Sequence, residues 1–459
     1  MSDLRLAAYV EAERERIVDT LFDFLRIPSI SAQPEHAPDV RRSADFMAAM
    51  LREAGMEHVE VIETPGAPAV YADWLHAGPD APTVLVYGHH DVQPVDPLDE
   101  WRSPPFEPVI VDGECLARGA IDDKGQMAYE IEAARGLLQL EGRLPVNLKF
   151  LVEGEEEVGS PNFEPLLVAE RDRFACDVAV VSDTGMWSLD VPSTTVGMRG
   201  LVAFDVQVRT ADIDLHSGLF GGAVLNPAHL LARIVTALHD DDGRVTLPGF
   251  YDDVRPLTAA EEESLRALPF DEDEWKRQGG IRVTEGEAGR SVLERTWTRP
   301  TCDVVGLSSG YAGEGIKTIV AATGRLKVSF RLVPDQQPAK VMAAFEQWLR
   351  ARIPEGVEVV VRPEGSGVGP ALTPVDHPAV GALCRTIERV WGKPPLFTRS
   401  GGSGPEEALG RVLDAPVIFL GVGLPDDRIH APNERMVMDQ FWKGLLAAGE
   451  LWHELGERR

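Results

Sequence analysis

Cysteine is scarce: Cys115, Cys176, Cys302 and Cys384 are the only four in 459 residues, widely spaced and with no CxxC pair. That excludes a disulfide framework and a cysteine-ligated zinc, and it suits structural thiols in a reducing compartment. Positive charge is also short, with 45 Lys+Arg against 74 Asp+Glu and a formal net charge of −29. Nucleic acid and anionic membrane surfaces both reward basic surface, so neither is expected as a partner. Long apolar runs are missing too. Stretches such as APVIFL at 415–420 are short and broken by Gly or Pro, which excludes a membrane-spanning helix. The N-terminal stretch is charged from Asp3 and reads as an amphipathic helix without the apolar core and cleavage site of a secretory signal. A cytoplasmic location is therefore expected. What is present is a 44 % hydrophobic complement, enough for full cores, on a chain long enough for more than one domain.

Patterning divides the chain. Up to about residue 196, short β-branched or aromatic runs at 84–87 (VLVY), 148–152 (LKFLV) and 178–181 (VAVV) alternate with helical spacing, as in Met127, Ile131, Ala134 and Leu138. The same style returns near the C-terminus, with a helix over 378–391, a strand over 417–420 and a last helix over 439–455. This alternation predicts an α/β layer with a largely parallel sheet. The middle differs. Residues 201–210 and 326–332 alternate cleanly, helices follow at 227–238 and 338–350, and a further strand lies at 357–361. Half-buried strands with two helices predict a small α+β sandwich. The expected organisation is one split α/β domain, 1–196 and 371–459, with a second domain, 197–370, inserted in it. Residues 240–299, rich in Asp, Glu, Pro and Gly, are left without an assignment.

In open α/β sheets, ligands bind outside the carboxyl ends of the strands. The residues just past the predicted strands are His89, His90 and Asp91; Glu155, Glu156 and Glu157; Asp183; and a Gly-rich loop leading to His430. Asp122 and Asp123 sit at the start of the intervening helix. Each has an ordinary explanation alone: a helix cap at Asp122, a solvated loop at 155–157, turn chemistry at Asp183. Together they gather carboxylates that would repel one another if left empty, and divalent cations resolve that repulsion. Mixed imidazole and carboxylate donors suit zinc, manganese or cobalt better than magnesium or calcium. In extended backbone His89 and Asp91 share one face and His90 the other.

Five segments in this order, GHHDVQP (88–94), RGAIDDKGQ (118–126), EGEEEVGS (153–160), Ser182-Asp183 and DLHSGLFGG (214–222), resemble those of the M20 metallopeptidases, closest to the cytosolic dipeptidase/carnosinase branch. The resemblance implies a di-zinc-peptidase α/β domain and a ferredoxin-like lid that also makes a homodimer. It implies two divalent ions per chain, zinc first, with manganese or cobalt as alternatives. His89 and Asp183 would hold one ion, Glu157 and His430 the other, and Asp122 would bridge them. Asp91 would orient His89, and Glu156 would be the general base toward a metal-bridged water. Glu155 is also available, although the Gly159-Ser160 spacing favours Glu156 as base and Glu157 as ligand. His216 would donate to the oxyanion from the partner subunit. Thr318 and Arg331 would bind the substrate's terminal carboxylate, and Ser403 and Gly402 would also contact the substrate. A cis peptide after Asp122 is also implied. Two departures stand out: the Gly-rich loop runs on into Glu406-Glu407, and a further lid histidine for the substrate carboxylate cannot be placed.

The function this resemblance implies is hydrolysis of small dipeptides. The rival readings are an N-acyl amino acid deacylase or desuccinylase with the same metals, a non-catalytic metal- or peptide-binding relative, and a phosphohydrolase. Glu156 beside every ligand speaks against a mere binder. The lack of a P-loop or basic cluster speaks against phosphate.

Overall fold

The computed structural model describes residues 2–457 and divides into two compact units. The first comprises residues 1–196, 372–398 and 404–459; the second comprises 197–371 and 399–403. The short 399–403 segment, expected with the α/β part, groups instead with the inserted unit. Its own contacts explain this: Arg399 pairs with Glu261, and Ser403 accepts a hydrogen bond from Arg331 at 2.8 Å.

The first unit is built on strands β1 (Glu57–Ile62), β2 (Ala69–Trp74), β3 (Thr83–His89), β4 (Asn147–Glu153) and β5 (Val178–Val181), together with Val417–Phe419. The sheet order is β1-β2-β4-β3-β5 followed by Val417–Phe419. The last four of these strands are mutually parallel, while β1/β2 and β2/β4 run antiparallel. The sheet is therefore mixed rather than simply largely parallel. The parallel strands are those whose sequences are mostly apolar, as burial on both faces requires. Val84 and Val86 join the core formed with the helices Lys124–Glu141 and Met438–Gly456. Tyr87, pointing the other way, packs its ring 5.0 Å from that of Phe163. β1 was missed because EHVEVI is charged and mostly exposed, with a register shift between Glu57 and Glu60.

Register positions the chemistry. His89 pairs with Glu153 across β3/β4, and Tyr87 pairs with Val181 across β3/β5. His89 and Asp183, each two residues beyond that second pair, are thus brought level at the carboxyl edge.

The second unit holds β6 (Gly200–Arg209), β7 (Leu215–His216), β8 (Thr301–Ser309), β9 (Ile319–Val320), β10 (Thr323–Leu332) and β11 (Glu358–Pro363). Four of them form an antiparallel sheet in the order β8-β10-β6-β11. Helices Pro227–Thr236 and Pro338–Arg350 pack on it. Val202, Phe204, Val206 and Val208 line one face, and the Phe204 ring lies 4.4 Å from that of Phe345. Within 240–299 the chain forms helices Ala259–Ala267 and Glu272–Gly279, the first opened by a Thr258/Glu261 capping box. Among the described residues no helix is long and apolar enough to cross a membrane.

Candidate active site

β3 ends on His89, whose ring is fully buried. Its Nδ1 lies 3.1 Å from the main-chain carbonyl of Asp91 and 3.4 Å from Asp91 Oδ1. A carbonyl oxygen can only accept, so Nδ1 carries the proton and the neutral ring offers a bare lone pair at Nε2. That Nε2 faces Asp122 Oδ1 at 3.0 Å and Asp183 Oδ2 at 3.6 Å. On the other side of Asp122, Oδ2 lies 3.0 Å from His430 Nε2, which is 3.3 Å from Glu157 Oε2. Two donor groups therefore share Asp122: His89, Asp122 and Asp183, and Asp122, Glu157 and His430, the donor atoms of each within 4.8 Å of one another.

A lone pair aimed at carboxylates is repulsive unless a positive charge lies between them. A proton can supply it: Asp122 and Glu157 raise His430 to about 10, and the carboxylates raise His89 well above its ordinary value despite burial. A divalent cation supplies it better and draws on every donor in the set, so the residues fit a metal pair.

The surrounding elements hold these groups. Glu156 and Glu157 sit on a single turn, Glu156–Val158, just past β4. Burial is the main cause that pushes the Glu156 carboxyl up to about 9; His89 opposes it, while Asp183, Glu157 and Asp122 add to it. Glu155 turns away and accepts from Asn162 Nδ2 at 2.8 Å, so it joins neither donor group. Asp91 Oδ2 accepts the Glu157 N–H at 3.1 Å, tying that turn to β3. Burial disfavours the charge of Asp91, yet His89 holds its carboxyl below the usual range. His90 points to the opposite side, Nε2 3.0 Å from the Pro68 carbonyl. The Asp122–Asp123 peptide is cis. Asp123 Oδ2 accepts the His89 N–H at 3.2 Å, and this approach needs Gly88, because a Cβ there would run into Asp123 and Met127. His430 has φ +62, a left-handed conformation unusual for histidine, at the tip of its loop.

Three further residues support these groups. Gln93 Nε2 donates to Glu157 Oε2 at 2.7 Å. Ser182 donates to the buried Glu130 at 2.8 Å, immediately before Asp183. Glu434, wholly buried, accepts from the N–H groups of Gly119, Ile121 and Asp122 and from Arg118. Gln93 lies inside GHHDVQP and Ser182 inside Ser182-Asp183, so both stand beside candidate ligands in sequence, whereas nothing in the spacing marks Glu434.

The remaining candidates lie in the second unit. β7 pairs with β9, and Ser217 N–H donates to the Thr318 carbonyl at 2.9 Å, so His216 and Thr318 are neighbours. His216 Nδ1 accepts the Gly218 N–H at 2.9 Å, which leaves the neutral ring's proton on Nε2, a free-standing donor. Arg331 donates to Ser403 Oγ, which donates in turn to the Arg199 carbonyl at 2.5 Å. Burial and then Arg331 lower the Arg199 guanidinium to about 10. Gly402 N–H donates to Ser400 Oγ at 3.0 Å. Two adjacent guanidinium groups without a bonded carboxylate make an anion-seeking corner.

Comparison with known proteins places these residues in context. The model for Peptidase family M20/M25/M40 matches residues 85–454. The chain is 31 % identical to Beta-Ala-His dipeptidase of Mus musculus over 99 % of its own length and 96 % of that protein. It is 30 % identical to a Cys-Gly metallodipeptidase of Schizosaccharomyces pombe, covering 99 % of this chain and 98 % of that one. Among solved structures it superimposes on an M20 family metallo-carboxypeptidase of Sulfolobus solfataricus with a TM-score of 0.84 and 32 % identity, covering 96 % and 99 % of the two chains.

Proposed function

Because the chain belongs to the peptidase family M20/M25/M40, we propose that it is a metal-dependent dipeptidase acting on small unblocked dipeptides. The observation that carries this is the pair of donor groups meeting at Asp122 with Glu156 beside them. Relatives named as dipeptidases at about this distance support the substrate class.

His89 and Asp183 would hold one divalent ion and Glu157 and His430 the other, with Asp122 common to both donor groups. Two such cations, zinc before manganese or cobalt, supply Lewis acidity that activates water and polarises the scissile carbonyl. Asp91, through its main chain and carboxylate, keeps the His89 proton on Nδ1. Glu156 takes the proton of the attacking water and later hands it to the leaving amine. His216 Nε2–H donates to the oxyanion, contributed across a homodimer formed through the second unit acting as a lid. Arg331 with Thr318 binds the substrate's terminal carboxylate, while Ser403 and Gly402 shape that corner. A cytoplasmic setting suits the four free cysteines.

Two results test this reading. In a panel of unblocked dipeptides, N-acetyl amino acids and N-succinyl amino acids, the dipeptides should be turned over. Turnover of the acylated compounds alone removes the dipeptidase assignment. A chelator should abolish activity, and zinc, manganese or cobalt should restore it with two ions bound per chain. In Asp122→Asn the stoichiometry should fall below two; retention of both ions would deny the bridge.

A further inference from the structure

The first unit contains a buried acid that the proposed chemistry leaves unused. Glu406 opens the helix Glu406–Leu413, which packs on β5, the strand leading into Asp183. The residue is only 3 % exposed, and its Oε2 has no hydrogen-bond partner. The charged groups that act on it most are Asp183 and His89, and no lysine or arginine among the described residues pairs with it. Tyr87, which also feels its charge, is already committed to Glu153 at 2.6 Å. The carboxylate thus belongs to a helix packed on the strand before Asp183, feels the charges of Asp183 and His89, and has an acceptor to spare.

Its neighbour in sequence behaves differently. Glu407 is half-buried and bonded to Arg411 Nε at 2.7 Å, an ordinary pairing along a helix. Two residues before Glu406, Gly404 leaves room, since a Cβ there would collide with the Glu406 carboxylate. Burying an acceptor without a donor is costly, more so for a charged group, so the chain keeps this oxygen at a standing disadvantage. A ligand bearing a compact cation with several N–H donors removes it, through a charge-assisted hydrogen bond. Within the dipeptidase reading above, on which this inference rests, the substrate has one such group, its α-ammonium.

We propose that Glu406 receives the free α-ammonium group of the substrate and so selects unblocked dipeptides over N-acyl amino acids. An acyl group ending in a methyl leaves the oxygen unpaired, and sites built to hydrogen-bond a substrate group reject analogues that lack it.

Ala-Gly and propionyl-Gly differ only in that ammonium, so their kcat/KM ratio isolates it. The metal-loaded wild-type protein should favour Ala-Gly by about 10²-fold or more. In Glu406→Gln the ratio should fall to within about tenfold of unity, chiefly through a higher KM for Ala-Gly, with propionyl-Gly little changed. Glu406→Asp should recover part of the preference. An unchanged ratio in Glu406→Gln overturns the proposal, even if both rates fall together, as they would through damage to folding or metal binding. Wild-type protein that hydrolyses propionyl-Gly and not Ala-Gly instead overturns the dipeptidase reading itself, before any variant is made.

Discussion

Glu156→Gln lowers kcat by about 10²–10⁴-fold, the usual worth of a positioned general base, while KM and bound metal stay close to those of the unaltered protein. The glutamine keeps the shape of the side chain on the Glu156–Val158 turn and loses only the ability to take a proton. Glu156 lies outside both donor groups, so metal content should not move. The base works only when ionised, so in the wild-type protein the rate rises as pH rises through the Glu156 pKa. That acid limb should vanish in the variant. Steady-state kinetics across pH, with metal analysis of the same samples, measure both. Activity within about tenfold of normal would remove Glu156 from the role, and loss of metal would make it a ligand instead.

Glu434→Ala should cost about 3–5 kcal/mol of stability, the range for breaking a buried ion pair by deleting one partner. Arg118 and Glu434 are both almost wholly buried and meet at 2.7 Å. The same carboxylate caps three main-chain N–H groups of the loop that delivers Asp122, at 3.0 to 3.1 Å. Its removal strands a buried guanidinium and frees the loop, so metal affinity should fall with stability. Denaturant titration of the metal-free protein gives the first quantity and competition with a chelator the second. A loss of stability below about 1 kcal/mol would contradict the account of the buried pair. Unchanged metal affinity would show that the loop holds Asp122 without this support.

Much of this was legible in the chain. The four parallel strands announce themselves because burial on both faces demands mostly apolar segments, interrupted only by Lys149 in NLKFLVE, and the strands end at His89, Glu153, Val181 and Phe419. β8 was not legible: among the residues of Thr301–Ser309 only Cys302 is buried, so an edge strand leaves no alternation to read. Three consecutive glutamates look alike locally, and in the sequence only the downstream Gly159-Ser160 spacing favoured Glu156 and Glu157 over Glu155. The contacts that separate them are tertiary: Asn162 bonds Glu155, while His430 and Gln93 meet Glu157. Glu406 and Glu407 likewise look equivalent in sequence, yet one is buried and unpaired and the other is bonded to Arg411.

By itself, then, the sequence determined which groups stand at the carboxyl edge of the sheet, because strand periodicity and the motifs beyond each strand are local properties. Only the tertiary structure decided which of those groups face one another. Asp122 is met by His89 and His430, 33 and more than 300 residues away along the chain, and is held by Glu434 from the same distant loop. Such meetings depend on strand register and on the burial of unpaired charge, and both are set by packing between segments that no local pattern connects.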